Sequence, residues 1–197
     1  MPTTSGSWQS GKVLHHGGGI NTLNYSGYTG DVTVNLPLHL ASLVNQMAAN
    51  SIFNIQNVTG SIGNDLLVGD ANPNMLTGGT GRNLIIGGGG PDTVTGGGGD
   101  NLLIGGTTIW DSNPAALQAI MQEWTNPNLT FDARVNALRR GIVVNNVTYA
   151  LTRSTVMADN SPDNLIGGPG QNWFFFDFDD IINHGAGPGV NDRVNRV

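Results

Sequence analysis

The sequence predicts a mainly β fold in which short strands wind into a β-solenoid, and three observations predict it. From Gly60 to Ile104 the chain divides into five contiguous nonapeptides: GSIGNDLLV, GDANPNMLT, GGTGRNLII, GGGGPDTVT and GGGGDNLLI. Position eight is aliphatic in every copy (Leu67, Leu76, Ile85, Val94 and Leu103), as expected of one inward residue per short strand. Glycine is abundant, 30 of 197 residues, while proline stays at 9. That composition excludes a collagen-like chain or disordered linker and signals many backbone positions that need φ > 0 or tolerate no Cβ.

The repeat has a physical logic. Position one is glycine throughout (Gly60, Gly69, Gly78, Gly87 and Gly96), and position six is Asp or Asn (Asp65, Asn74, Asn83, Asp92 and Asn101). Six residues form a turn and three a strand, so two nonapeptides complete one coil of 18 residues. Successive strands then fall on opposite sheets, and coils stack at about 4.8 Å. Position-six residues two copies apart share an edge. One edge carries Asp65, Asn83 and Asn101, the other Asn74 and Asp92.

The flanks define four predicted segments. Residues 1–59 read as irregular N-terminal coils, with Asp31 to Leu36 alternating like a strand and Ser51 to Val58 a second candidate. His39 to Ala49 is expected to be a short helix or an apolar loop. Residues 60–106 are the repeats. Residues 107–157 interrupt them with a helical hairpin. Asn113 and Pro114 make a helix start, and Leu117, Ile120, Met121 and Trp124 form one apolar stripe. Thr130 opens a second helix through Val135 and Leu138, which Gly141 stops. Ile142 to Tyr149 reads as a β-hairpin turning at Asn145-Asn146.

Residues 158–197 resume the period. Ala158–Ile166 and Gly167–Phe175 fit the nonapeptide, placing Asp163 and Asn172 at position six. If the insertion is looped out in register, Asp163 extends the second edge and Asn172 the first. The run Phe174 to Asp180 is expected to be a C-terminal cap strand with Asp177 and Asp179 outward.

Strand positions seven and nine carry a further pattern. Leu66/Val68, Leu84/Ile86 and Leu102/Ile104 make one outer face wholly aliphatic, continued by Trp173 and Phe175. Met75/Thr77 and Thr93/Thr95 make the other mixed. An aliphatic face of that extent calls for a cover. The helical insertion supplies a matching stripe, and an interface with a neighbouring module is the alternative.

Charge and composition exclude several functions. The formal net charge is −6 with no basic patch, which excludes nucleic acid as a partner. Cysteine is absent, removing disulfides and thiolate chemistry. No apolar run reaches the ~20 residues of a membrane span, and no signal peptide is visible at the N-terminus. His15, His16, His39 and His184 are too scattered for a metal site, and no nucleophile elbow or phosphate loop is present, so no enzymatic activity is expected. Arg134, Arg139, Arg140 and Arg153 are expected to form a solvated face or to pair with acids of the repeat.

The nonapeptides resemble the hemolysin-type (RTX) calcium-binding repeat, GGxGxDxUx. His16 to Asn24 fits the same motif with one glycine replaced. The resemblance implies a right-handed parallel β-roll that binds Ca2+ through turn carbonyls and the position-six side chain. On that reading the ligand-bearing residues are Asp65, Asn74, Asn83, Asp92, Asn101, Asp163 and Asn172, with Gly60, Gly63, Gly78, Gly79, Gly81, Gly87, Gly96, Gly97 and Gly99. It further implies a structural module of a secreted or cell-surface bacterial protein, ordered by calcium after export. An adhesion or assembly module, or the accessory part of a larger secreted enzyme, are the alternatives. Neighbouring domains or cell-surface components are then the candidate partners besides calcium.

This sequence departs from the motif, because Asn replaces Asp at three of the five central positions. Asn offers a neutral oxygen, so the sites at Asp65/Asn83 and Asn74/Asp92 are expected to be weaker than all-Asp sites, and that at Asn83/Asn101 weaker still. The competing expectation is a hydrogen-bonded Asn ladder that needs no metal.

Overall fold

A computed structural model describes residues 14–15, 18–43, 46–48, 52–184 and 192–197. The weak repeat proposed at His16 to Asn24 lies partly outside them, its described part forming the strand Thr22–Asn24.

Alternation of turn and strand delivers consecutive strands to two sheets. The first sheet runs, in spatial order, Ile181–Asn183, Asn164–Ile166, Thr93–Gly97, Met75–Gly79, Asn57–Thr59 and Thr22–Asn24, every neighbour parallel. The second runs Arg193–Arg196, Trp173–Phe176, Leu102–Ile104, Leu84–Ile86, Leu66–Val68 and Thr33–Asn35, again parallel. It ends in two antiparallel strands, Leu40–Leu43 and Gln46–Ala48. The chain is thus mainly β, consistent with a β-roll, though its second sheet is mixed. Those two strands correct the expectation of a helix or loop at His39 to Ala49. Leu40, Ala41 and Ser42 are buried in succession, so the segment carries no alternation that would mark it as strand.

Register follows the repeat. Leu84 lies opposite Leu66 and Leu102, and Thr93 opposite Met75. The position-eight side chains Leu67, Leu76, Ile85, Val94, Leu103, Leu165 and Phe174 fill the space between the sheets at 0 % exposure. Burying each contributes roughly 1.5–3 kcal/mol. Close stacking sets the glycine requirement: Gly97 sits at φ 99°, and a Cβ there would meet the Gly79 carbonyl of the coil below.

The insertion leaves and re-enters at one point. Thr107–Thr108 pairs antiparallel with Val156–Met157, forming a neck. Beyond it, α1 (Pro114–Trp124) starts at Asn113, whose side chain accepts from the Ala116 N–H at 3.1 Å. The next helix, α2 (Phe131–Arg140), starts at Thr130 and stops at Gly141, φ 92°. The hairpin Ile142–Val144/Val147–Tyr149 turns through Asn145 and Asn146, both at positive φ.

The helices cover the aliphatic face. Leu66, Val68, Leu84, Ile86, Leu102, Ile104, Trp173 and Phe175 form one buried cluster with Leu117, Ile120, Trp124, Phe131, Val135 and Leu138. Arg134 is not on a solvated face. It is 1 % exposed, lies over the Trp124 ring at 5.1 Å, and its Nη2 donates to Asp100 Oδ2 at 2.5 Å. Arg139 donates to Asn195 and Arg193 pairs with Asp132, tying α2 to the last strand.

The C-terminal expectation needs correction. The strand ends at Phe176 and the chain turns through Asp177 to Asp180, adding two further strands rather than capping the stack. Asp177 is buried at 4 % exposure, because its carboxylate accepts backbone N–H groups of Asn160 and Asp179.

Candidate metal centre

Position six sits at the end of each turn, immediately before its strand. Stacking in register therefore places these side chains in two columns. In the first, Asp65 N–H donates to Asn83 Oδ1 (2.8 Å), Asn83 to Asn101 (3.2 Å), Asn101 to Asn172 (3.1 Å) and Asn172 to Asp192 (2.7 Å). In the second, Asn74 N–H donates to Asp92 Oδ1 (2.8 Å), Asp92 to Asp163 (2.8 Å) and Asp163 to Asp180 (2.9 Å). The Asp92–Asp163 and Asn101–Asn172 steps span 71 residues of sequence where the steps before them span 18. The insertion is looped out without loss of register.

The two columns differ in what their second side-chain atom finds. In the first, Asn83 Nδ2 donates to the carbonyls of Gly81 and Gly96, both at 3.1 Å, and Asn101 Nδ2 to those of Gly99 and Gly167. Asn172 Nδ2 donates to the Gly168 and Gly170 carbonyls. Asp65 is served by Ser61, whose N–H and hydroxyl both donate to it. From Asn83 to Asn172 this column is a hydrogen-bond ladder, while at its Asp65 end Asp65 Oδ2 and the Gly78 carbonyl oxygen crowd one point beside Gly60.

In the second column Asp92 Oδ2 and Asp163 Oδ2 are buried without any hydrogen-bond partner. Asp92 Oδ2 stands where Asn83 places its amide nitrogen. It lies 2.7 Å from the point a Cβ on Gly87 would occupy, and the Gly105 carbonyl oxygen crowds the same point. Two oxygens facing each other require a proton or a cation between them. Burial, with Asp163, Asp159 and Asp70 nearby, accordingly pushes Asp92 up to about 8. Burial and its acidic neighbours push Asp163 up to about 7. Asp65, also raised by burial but held by Ser61 and Val32, reaches about 6.

Charge follows the same division. Asp70, Asp92, Asp159, Asp163, Asp177, Asp179 and Asp180 gather along the second column, and none makes an ion pair among the described residues. In the first column Asp100 is paired by Arg134 and Asp192 by His184.

A carboxylate oxygen facing a turn carbonyl is a hard-oxygen donor set of the kind calcium takes. Residues 59–93 and 77–107 match the RTX calcium-binding nonapeptide repeat, four copies in all. The chain carries RTX calcium-binding repeats. No curated protein matches the chain. The RTX repeats contain Asp65, Asn74, Asn83, Asp92 and Asn101, and the two columns continue through Asp163 and Asn172 beyond the matched span.

Of the turn glycines, Gly81 and Gly96 direct their carbonyls to Asn83, and Gly99 to Asn101. A Cβ on Gly60, Gly78 or Gly87 would collide with the position-six side chain of the same repeat. Gly79 and Gly97 accept close stacking neighbours at positive φ, and Gly63 packs on Asp31. Sequence reasoning missed Asp180 and Asp192, which continue the columns. Their spacings of 17 and 20 residues break the period that would have revealed them.

Proposed function

We propose that the chain is a calcium-ordered structural module, a right-handed β-roll whose ions sit along one edge. The carrying observation is the pair of orphaned carboxylate oxygens, Asp92 Oδ2 and Asp163 Oδ2, beside a column of acids that no Arg or His side chain among the described residues pairs with. The residues that would hold calcium are Asn74, Asp92 and Asp163, with turn carbonyls such as those of Gly87 and Gly105. When bound, the ion supplies charge compensation and cross-links adjacent coils. The Asn83, Asn101 and Asn172 ladder needs no metal, so the Asn83/Asn101 step carries none.

In this reading the chain catalyses no reaction and belongs to a secreted or cell-surface protein. Low cytosolic calcium leaves the acidic edge repelled, and external calcium completes folding by mass action. Occupation of the aliphatic face by α1 and α2 removes the surface that favoured an adhesion role. Calorimetric titration of the calcium-free chain, with circular dichroism before and after calcium and after EGTA, tests the reading. We expect binding and a reversible gain of β signal. No heat of binding at millimolar calcium would overturn it.

A further inference from the structure

The end of the stack holds a group of carboxylates that the nonapeptide period does not explain. The period fails after Asp163, where the next column residue, Asp180, comes 17 positions later. The missing residue is taken up in the turn Asp177-Phe178-Asp179-Asp180, which lies outside the matched repeats. That turn folds on itself. Asp177 N–H donates to Asp180 Oδ2 at 2.8 Å, and Asp179 N–H to Asp177 Oδ1 at 3.2 Å. One carboxylate oxygen from each of Asp177, Asp179 and Asp180 lies within 4.8 Å of the other two. Two oxygens on opposite sides of one calcium ion, each at about 2.4 Å, are separated by about that distance.

A second observation points to a ligand at this place. Asp163 is 2 % exposed, and its Oδ2 has no partner. This oxygen lies 2.6 Å from the point a Cβ on Gly105 would occupy, and Asp180 Oδ2 lies 2.9 Å from the same point. A buried, unsatisfied carboxylate oxygen therefore shares the space beside Gly105 with Asp180, one of the three acids of the turn. Asp179 Oδ1 is likewise buried without a partner. Asp163, Asp177, Asp179 and Asp180 form no ion pair with any Arg or His among the described residues. Four carboxylates brought together this way repel one another unless an ion or protons join them.

We propose that Asp177, Asp179 and Asp180, joined by Asp163 at the end of the acidic column, form a terminal site for a hard divalent cation of the calcium class, beyond the sites between the nonapeptides. The site clamps the strand Ile181–Asn183 to Asn164–Ile166, the last parallel pair of its sheet. Its side-chain donors are carboxylate oxygens, which favours calcium over softer metals. The proposal extends the calcium reading to another place, so the two are tested on different residues.

Calcium chloride is titrated calorimetrically into the calcium-free full chain as wild type, Asp179→Asn and Asp92→Asn. Asp179→Asn is expected to lose one ion, or to weaken one binding event about tenfold or more, while the remaining events persist. Asp92→Asn is expected to retain that event. Amide exchange at Ile181–Asn183 in the wild type supplies a readout that does not depend on a variant folding: protection should rise with calcium. An unchanged ion count and affinity in Asp179→Asn overturns the terminal site, even if Asp92→Asn loses an ion as the repeat reading requires. Equal protection of Ile181–Asn183 in calcium and in EGTA also overturns it. Loss in neither variant would remove both readings.

Discussion

Replacing Asp92 with Asn should make the calcium-free protein more stable and the calcium-loaded protein less stable than wild type. The substitution converts the acidic column locally into a copy of the other. The Asn Oδ1 keeps the bond from Asn74 N–H, and Nδ2 takes the place of the orphaned Oδ2, facing the Gly105 carbonyl as Asn83 Nδ2 faces that of Gly96 at 3.1 Å. The magnitude follows from linkage. With Asp92 raised to about 8 by burial and its acidic neighbours, folding at pH 7 without calcium requires it to hold a proton that the unfolded chain has released. From an ordinary value near 3.9 to pH 7, at about 1.36 kcal/mol per unit, that costs roughly 4 kcal/mol. Asn needs no proton. Relaxation and water entry at the coil edge recover about half of the cost, leaving a gain of about 2 kcal/mol for the variant. For a chain of this size that raises Tm by roughly 4–8 °C. Calcium at about 100 times its Kd returns about 2.7 kcal/mol to the wild type, and the variant forfeits most of it. Melting followed by circular dichroism in EGTA and in calcium should therefore show the two proteins exchanging order. A variant that melts below wild type in EGTA, or an equal rise with calcium in both, would refute the reasoning.

Three further outcomes follow from the same geometry. Asp65, Asp92 and Asp163 have folded-state values of about 6, 8 and 7, above the ordinary carboxylate range, so their stabilisation is fully present below about pH 4. It is lost as pH rises through those values, so the calcium-free Tm should fall between pH 5 and pH 8.5, and saturating calcium should flatten the fall. Trp124→Ala removes a fully buried ring that packs on Phe131 and Trp173, at a cost of about 3–5 kcal/mol, and should lower Tm by roughly 10 °C with the calcium stoichiometry unchanged. Deleting residues 107–157 uncovers Leu66, Leu84, Leu102 and Trp173 and should produce an aggregating protein by light scattering; a soluble monomer would show that the helices are dispensable.

Much of this was legible because the repeat is strict. A period of nine fixed which side chains face inward, and a period of 18 fixed which position-six residues share an edge. Asp163 and Asn172 could then be assigned across the interruption. The helix limits were legible in Asn113, Pro114, Thr130 and Gly141, since caps are local chemistry. What escaped was governed by contacts without a period. Arg134 reads as a solvated charge or a partner of a repeat acid; the structure shows the second, with Asp100, and the Trp124 ring beneath it explains the burial that the sequence did not show. Asp177 reads as one of two outward residues of an alternating strand, but the chain turns there. The difference between the two columns was partly visible as Asn against Asp. Its consequence depended on where the second atom points, and that depended on the stacked carbonyls of Gly96 and Gly105.

The two columns also feed different sheets, and the sheet beside the acidic column is the one the helices leave uncovered. Asp65, Asn83, Asn101 and Asn172 precede the strands Leu66–Val68, Leu84–Ile86, Leu102–Ile104 and Trp173–Phe176, whose outer face α1 and α2 bury. That half has both an amide ladder and a second hydrophobic layer, so it has stabilisation independent of metal. Asn74, Asp92, Asp163 and Asp180 precede Met75–Gly79, Thr93–Gly97, Asn164–Ile166 and Ile181–Asn183, whose outer face carries threonine and asparagine with Met75 and Ile181 exposed. With no second layer there among the described residues, the opposing carboxylates must be neutralised before the sheet closes. Calcium dependence should therefore be graded across the molecule. Amide exchange in EGTA should leave Leu84–Ile86 and Leu102–Ile104 better protected than Thr93–Gly97 and Asn164–Ile166, and calcium should reduce the difference. Uniform protection of both sheets in EGTA would mean that the acidic edge folds with its protons alone, and that calcium adds stability without deciding where the fold begins.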